Sequence, residues 1–167
     1  MLFRSAAHPG GPWSVPVCVR YPAGAGTEVA CGLVGEARGE VSLGAGPCPA
    51  WVMPNADAGG YYRWTLPPAR LAALGAAGWG ALNALERLAT VNNARAAFTA
   101  GALDFAALRP LLARAAIDPE RLVTVDALGL WTRVLEDELT GPAAARARRE
   151  VTALHARAWA PLGWTRD

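Results

Sequence analysis

Trp51-Val52-Met53-Pro54-Asn55-Ala56-Asp57-Ala58-Gly59-Gly60-Tyr61-Tyr62-Arg63-Trp64, running on to Pro67-Pro68, is the stretch on which the reading of the fold turns. It reads as a strand, a polar glycine-rich turn and a second strand dense in aromatics, which predicts a tightly turned hairpin. At Pro67-Pro68 the composition changes sharply. Before it lie 11 of the 18 glycines, all three cysteines and all three tyrosines, and after it come Ala, Leu and 12 of the 16 arginines. The shift predicts a β part over residues 6–66 and a helical part over 67–167.

Upstream of the aromatic stretch the period is that of strands. Trp13, Val15, Val17 and Val19 alternate with Ser14, Pro16, Cys18 and Arg20, predicting one buried face, with Pro16 marking an edge strand or a bulge. Glu28 to Val34 offers Val29, Cys31 and Leu33 on one face, so Cys31 reads as a small buried hydrophobe. Glu40 to Leu43, Ala50 to Met53 and Gly60 to Leu66 complete the set, separated by Gly24-Ala25-Gly26, Gly44-Ala45-Gly46-Pro47 and Asp57-Ala58-Gly59-Gly60. Short strands at about ten-residue spacing with such turns predict a small antiparallel β-sandwich.

Downstream the period is helical. Pro68 opens Ala69 to Ala77, which closes near Gly78. Leu82, Leu85, Leu88 and Ala89, then Val91, Ala94, Ala97 and Phe98, predict a helix ending at Gly101. Asp104 caps a helix carrying Leu108, Leu111, Leu112 and Ala115, which Pro110 should kink. Asp118-Pro119-Glu120 starts a helix presenting Leu122, Val125, Leu128, Trp131 and Leu135, and Pro142 starts the last, with Ala147, Val151, Leu154 and Ala158. Five or six helices joined by short loops predict antiparallel pairs in an α-solenoid-like, HEAT-like layer.

Charge and length exclude several classes. All 16 positive charges are Arg, and against 14 acids they leave a net charge of +2, far from a nucleic-acid footprint. Apolar runs such as Leu71 to Ala77 fall short of the roughly 20 residues of a spanning helix, so no membrane is implied and a soluble chain is expected. Cys18, Cys31 and Cys48 form no CxxC pair and leave at least one thiol free, which fits a reducing compartment and favours the cytoplasm. Arg in place of Lys, with abundant Ala, fits a GC-rich bacterial genome. Met1-Leu2-Phe3-Arg4-Ser5 matches the translation of a common sequencing-adapter tail, so residues 1–5 are expected to belong to no fold and the reading frame to be cut there.

The chemistry-bearing residues do not assemble into a motif. His8 and His155 lie in no HExxH or other ligand spacing, and His155, near Arg148, Arg149 and Arg157, reads as part of a solvated polar face. Glu136-Asp137-Glu138 reads as a solvated helix end, because consecutive helical residues point apart. Arg146, Arg148 and Arg149 are either an exposed face or a contact for an acidic partner or a peptide carboxylate. No catalytic, metal-binding or cofactor-binding residue is expected within the chain.

Three blocks in order resemble one family. Trp51-x-x-x-Asn55 followed by Gly60-Tyr61-Tyr62-Arg63 resembles the small β-sandwich domain of the aminopeptidase N type zinc metallopeptidases, among them the puromycin-sensitive and endoplasmic-reticulum aminopeptidases. Trp13-Ser14-Val15-Pro16-Val17 is similar to that family's W-x-[VI]-P-[VIL] strand. Leu82 to Leu88, with the acid-Arg pair Glu86-Arg87, then Asn92-Asn93-Ala94 to Ala100-Gly101, is similar to its first helical segment.

The resemblance covers roughly residues 12 to 167. It implies a multidomain parent that removes N-terminal residues from peptides, in which the sandwich is a wedge and the helices begin a bowl over the active site. It implies zinc in the parent, held by HExxH and a downstream Glu, with a GxMEN loop for the substrate's amino terminus; neither motif is in this chain. The partner implied is the missing catalytic domain of the same polypeptide, and the chain alone is expected to be inactive. The sandwich lacks the strand before Trp13 and the bowl stops at Asp167, so exposed apolar surface and self-association are expected. The alternative is a stand-alone scaffold gripping a peptide or protein on its helical face, and a free-standing enzyme using Cys18 or His155 is the remaining reading.

Overall fold

The computed structural model describes residues 14–35, 38–44, 46–137 and 140–163. Trp13, His8, Glu138 and the adapter-like residues 1–5 lie outside the described residues. Among the described residues two strands precede five α-helices: β1 (Val15–Ala23), β2 (Gly26–Val34), α1 (Pro68–Ala73), α2 (Ala84–Thr99), α3 (Phe105–Ala115), α4 (Arg121–Asp137) and α5 (Gly141–Trp159). The chain forms two compact units, one ending at Ala89 and the other starting at Thr90, so the division falls inside α2.

The expected sandwich is corrected. Among the described residues the only sheet is the antiparallel pair β1–β2, turned by Gly24-Ala25 with Gly24 at φ +53. A third segment touches it at one point, where Arg20 and Met53 exchange backbone hydrogen bonds of 3.0 and 2.8 Å. Glu40 to Leu43 and Gly60 to Leu66 join no sheet. Between Gly39 and Pro54 the chain carries Gly44, Gly46, Pro47, Pro49 and Pro54, which interrupt ladder donors and extended geometry alike.

The buried face of the hairpin is also corrected. Directly opposed residues share a face, so Pro16, Cys18 and Arg20 stand with Leu33, Cys31 and Val29. On β2 this face is exposed: Val29 is 43% and Leu33 68% exposed, and Cys31 is exposed rather than buried. Cys18 and Cys31 are joined by a disulfide, and Cys48 is the free, exposed cysteine.

The first unit's core gathers Trp51, Met53, Trp64, Leu71, Leu74 and Trp79. α1 opens with Pro68 in its first turn and passes through a wide π turn, Leu74–Gly78, into a short turn at Trp79–Ala81. Gly78 makes room for the Trp51 indole, since a Cβ there would stand 2.8 Å from its ring.

In the second unit α4 packs against both α3 and α5. Asp104 caps α3, its carboxylate accepting from the Ala107 N–H at 2.8 Å, and the helix continues through Pro110, which sits on the exposed side. Leu128, Trp131 and Leu135 of α4 are buried, whereas Leu122 and Val125, expected on the same face, are 66% and 50% exposed. The Trp131 indole meets the edge of Phe105 at a centroid distance of 6.4 Å. This part is compatible with the expected helical layer.

Candidate functional site

The densest polar cluster lies where α2 begins. Asn83 caps the helix, with its side-chain oxygen accepting from the Glu86 N–H at 2.9 Å, while Glu86 Oε2 accepts from the Asn83 N–H at 2.9 Å. This reciprocal pair is a capping box built on Asn rather than Ser or Thr. Glu86 has no exposed surface, and its Oε1 accepts from Arg20 Nε at 2.7 Å and from the Asp57 N–H at 2.8 Å. Arg20 Nη2 reaches Asp57 Oδ1 at 2.8 Å, and Asn83 Nδ2 donates to the same oxygen at 2.9 Å.

The hydrogen bond to Glu86 raises the Arg20 pKa above its ordinary value, against burial, which lowers it. The cation is therefore permanent. With both Glu86 oxygens occupied by donors, the arrangement is suited to fastening β1 and the 55–60 loop to α2, not to taking a proton from a substrate.

The aromatic stretch folds into a closed loop. Asn55 Nδ2 donates to the Gly60 carbonyl at 2.9 Å, and the Gly60 N–H donates back to Asn55 Oδ1 at 2.8 Å. Asp57 and Ala58 between them adopt φ of 57 and 54, in the left-handed region. Tyr62 lies over Gly60, where a Cβ would collide with its ring, and its hydroxyl donates to the Pro54 carbonyl at 2.6 Å. Burial raises the Tyr62 hydroxyl's pKa, and the Cys18 backbone opposes that shift. Asn55, Gly60, Tyr62 and the buried Trp51 thus serve the loop itself, whereas Tyr61 is fully exposed and Arg63 is exposed beside it.

The remaining expected residues are dispersed. Pro16 is exposed near the open end of β1. Arg87 Nη1 donates to the Leu82 carbonyl, and Asn92 Oδ1 accepts from Arg95 Nη2. Arg146, Arg148 and Arg149 are all exposed on α5, but only Arg148 and Arg149 flank its shallow groove, with Ala145, Thr152, Ala153 and Ala156.

Two features escaped the sequence reading. His155 is half-buried: Trp159 Nε1 donates to its Nδ1 at 3.2 Å, and its Nε2 stands 3.5 Å from the Thr132 hydroxyl. The spacing of His155 and Trp159, one helical turn, was the available signal. Cys18 and Cys31 lie equally far from the two ends of the Gly24-Ala25 turn, so a register count would have placed them opposite each other.

Among the described residues no three His, Cys, Asp or Glu side chains converge to hold a metal ion. Likewise, no helix among them is long and apolar enough to cross a membrane. Comparison with protein-family models and with curated protein sequences finds no match for this chain.

Proposed function

We propose that the chain is a non-catalytic part of a zinc aminopeptidase of the aminopeptidase N type, supplying helical cover beside a metal domain carried elsewhere in the same polypeptide. The observation that supports this reading is the convergence at Glu86. That residue, from the third resembling block, holds Asp57 from the second and Arg20 from β1, the strand that continues the first. Two segments similar to one family, 29 residues apart at Asp57 and Glu86, thus meet in one hydrogen-bonded cluster with the strand that continues a third.

On this reading the peptide substrate and the metal-activated water belong to the parent's catalytic domain, and the helical layer limits which peptides reach it. The Cys18–Cys31 disulfide favours an oxidising compartment over the reducing one suggested by cysteine spacing. The test is the genomic sequence upstream of the Ala6 codon. A frame that continues into HExxH and GxMEN segments supports the reading, and a stop codon followed by a native start at that point overturns it.

A further inference from the structure

The Cys18–Cys31 disulfide divides the hairpin into two halves that are held in different ways. On its turn side Arg20 is tied to Glu86 and Asp57, the backbone of Arg20 is bridged to Met53, and Tyr21 is buried. On its open side Val15–Val17 pair with Gly32–Val34, residues without polar side chains, and Val41 lies against Gly32. The bond itself sits on the outer face between Pro16, Val29 and Leu33, with Cys31 exposed to solvent.

We propose that this disulfide is a redox-sensitive strap. Closed, it locks the open half of the hairpin and holds Pro16 and Leu33 as one rigid apolar pair beside the bond. Opened, it frees that half while the Arg20 latch keeps the turn half in place. The reductant is a small soluble thiol. Its thiolate attacks the exposed Cys31 sulfur, the S–S bond breaks, and Cys18 leaves as a thiolate that takes up a proton. A second reductant thiolate then resolves the mixed disulfide, so the chain gains two thiols as two reductant thiols become one disulfide.

The test uses the full chain with Cys48→Ser, which removes the exposed free thiol as a competitor. Expected without denaturant are Cys18 and Cys31 that resist alkylation until dithiothreitol is added and are both alkylated afterwards. Amide hydrogen exchange at Val15, Val17 and Gly32–Val34 should then accelerate by about a hundredfold, the order set by removing a cross-link over a loop of this length, while Arg20, Tyr21 and Ala23 stay protected. The chain with Cys18→Ser and Cys31→Ser should exchange at the faster rate with or without dithiothreitol. Free thiols before reduction, a bond that opens only in denaturant, equal exchange in both redox states, or loss of protection at Arg20, Tyr21 and Ala23 on reduction would each overturn the proposal.

Discussion

Arg20 Nε and Glu86 Oε1 are 2.7 Å apart although 66 residues separate them in the chain. Glu86 is wholly buried, so its charge depends on this guanidinium and on the N–H groups of Asp57 and Asn83. Removing one member of a buried, hydrogen-bonded pair strands the other, at a cost of about 3–5 kcal/mol. Arg20→Ala should therefore destabilise the first unit by that order in urea unfolding. Glu86→Gln, which keeps the shape and one acceptor, should cost less than Glu86→Ala. Equal losses for Gln and Ala would show that the charge, not the hydrogen-bonding scaffold, carries the effect.

Gly60 is defined by Tyr62. A methyl group at residue 60 would collide with Tyr62 Cε1 and sit 3.0 Å from Asn55 Oδ1, so Gly60→Ala must displace the ring or open the Asn55 bridge. Overpacking of this kind costs about 1–3 kcal/mol. Gly80→Ala is the control, because nothing lies within 4 Å of its added methyl. Thermal unfolding of the two variants should separate them clearly, with Gly60→Ala the less stable.

Tyr62 gives the first unit an alkaline limit. Burial holds its hydroxyl above the ordinary value of 10.0, so the folded chain binds that proton more tightly than the unfolded chain does. The resulting stability is complete below the ordinary phenol range and is lost as pH rises through it and past the raised folded value. Tyr62→Phe should flatten that decline and, by losing the bond to the Pro54 carbonyl, lower stability at neutral pH by about 1 kcal/mol. Urea midpoints across the alkaline range for both proteins provide the check.

The helices were legible because their starts are written locally. Asp104, Asp118-Pro119-Glu120 and Pro142 each act within one turn of their own position, and α3, α4 and α5 begin at or within a few residues of them. The sandwich was misread because alternation reports which residues share a face, not whether anything covers it. Val29, Cys31 and Leu33 do share a face, and it is exposed. Pairing between distant strands depends on partners that no local pattern names.

Rotation of α2 failed for a related reason. Apolar spacing put Leu85 inward, yet Leu85 is 62% exposed and Glu86 takes the interior. A buried carboxylate is invisible to hydrophobic periodicity, because its burial is made possible by Arg20, far away in sequence. The resemblance did single out Glu86, Asn55, Gly60 and Tyr62. What it left open, their role in closing a loop and fastening it to α2, required atomic positions.

The second unit offers a contrast between two polar contacts. Arg109 grips Glu150 through two bonds, Nε to Oε2 at 3.0 Å and Nη2 to Oε1 at 2.9 Å, linking α3 to α5. Half of the Arg109 side chain is exposed, so solvent and salt screen the pair, and a double-mutant cycle with Arg109→Ala and Glu150→Ala should give at most about 1 kcal/mol. Asp104 instead fills an orphan N–H at the start of α3, and Asp104→Ala should cost about 1 kcal/mol by itself. Salt separates the two. Molar sodium chloride should erase most of the Arg109–Glu150 coupling by screening, whereas much of the Asp104 effect should survive because it is a short hydrogen bond to a backbone amide. A cycle energy that persists unchanged in high salt would mean that the α3–α5 link depends on packing of the two side-chain stems rather than on their charges.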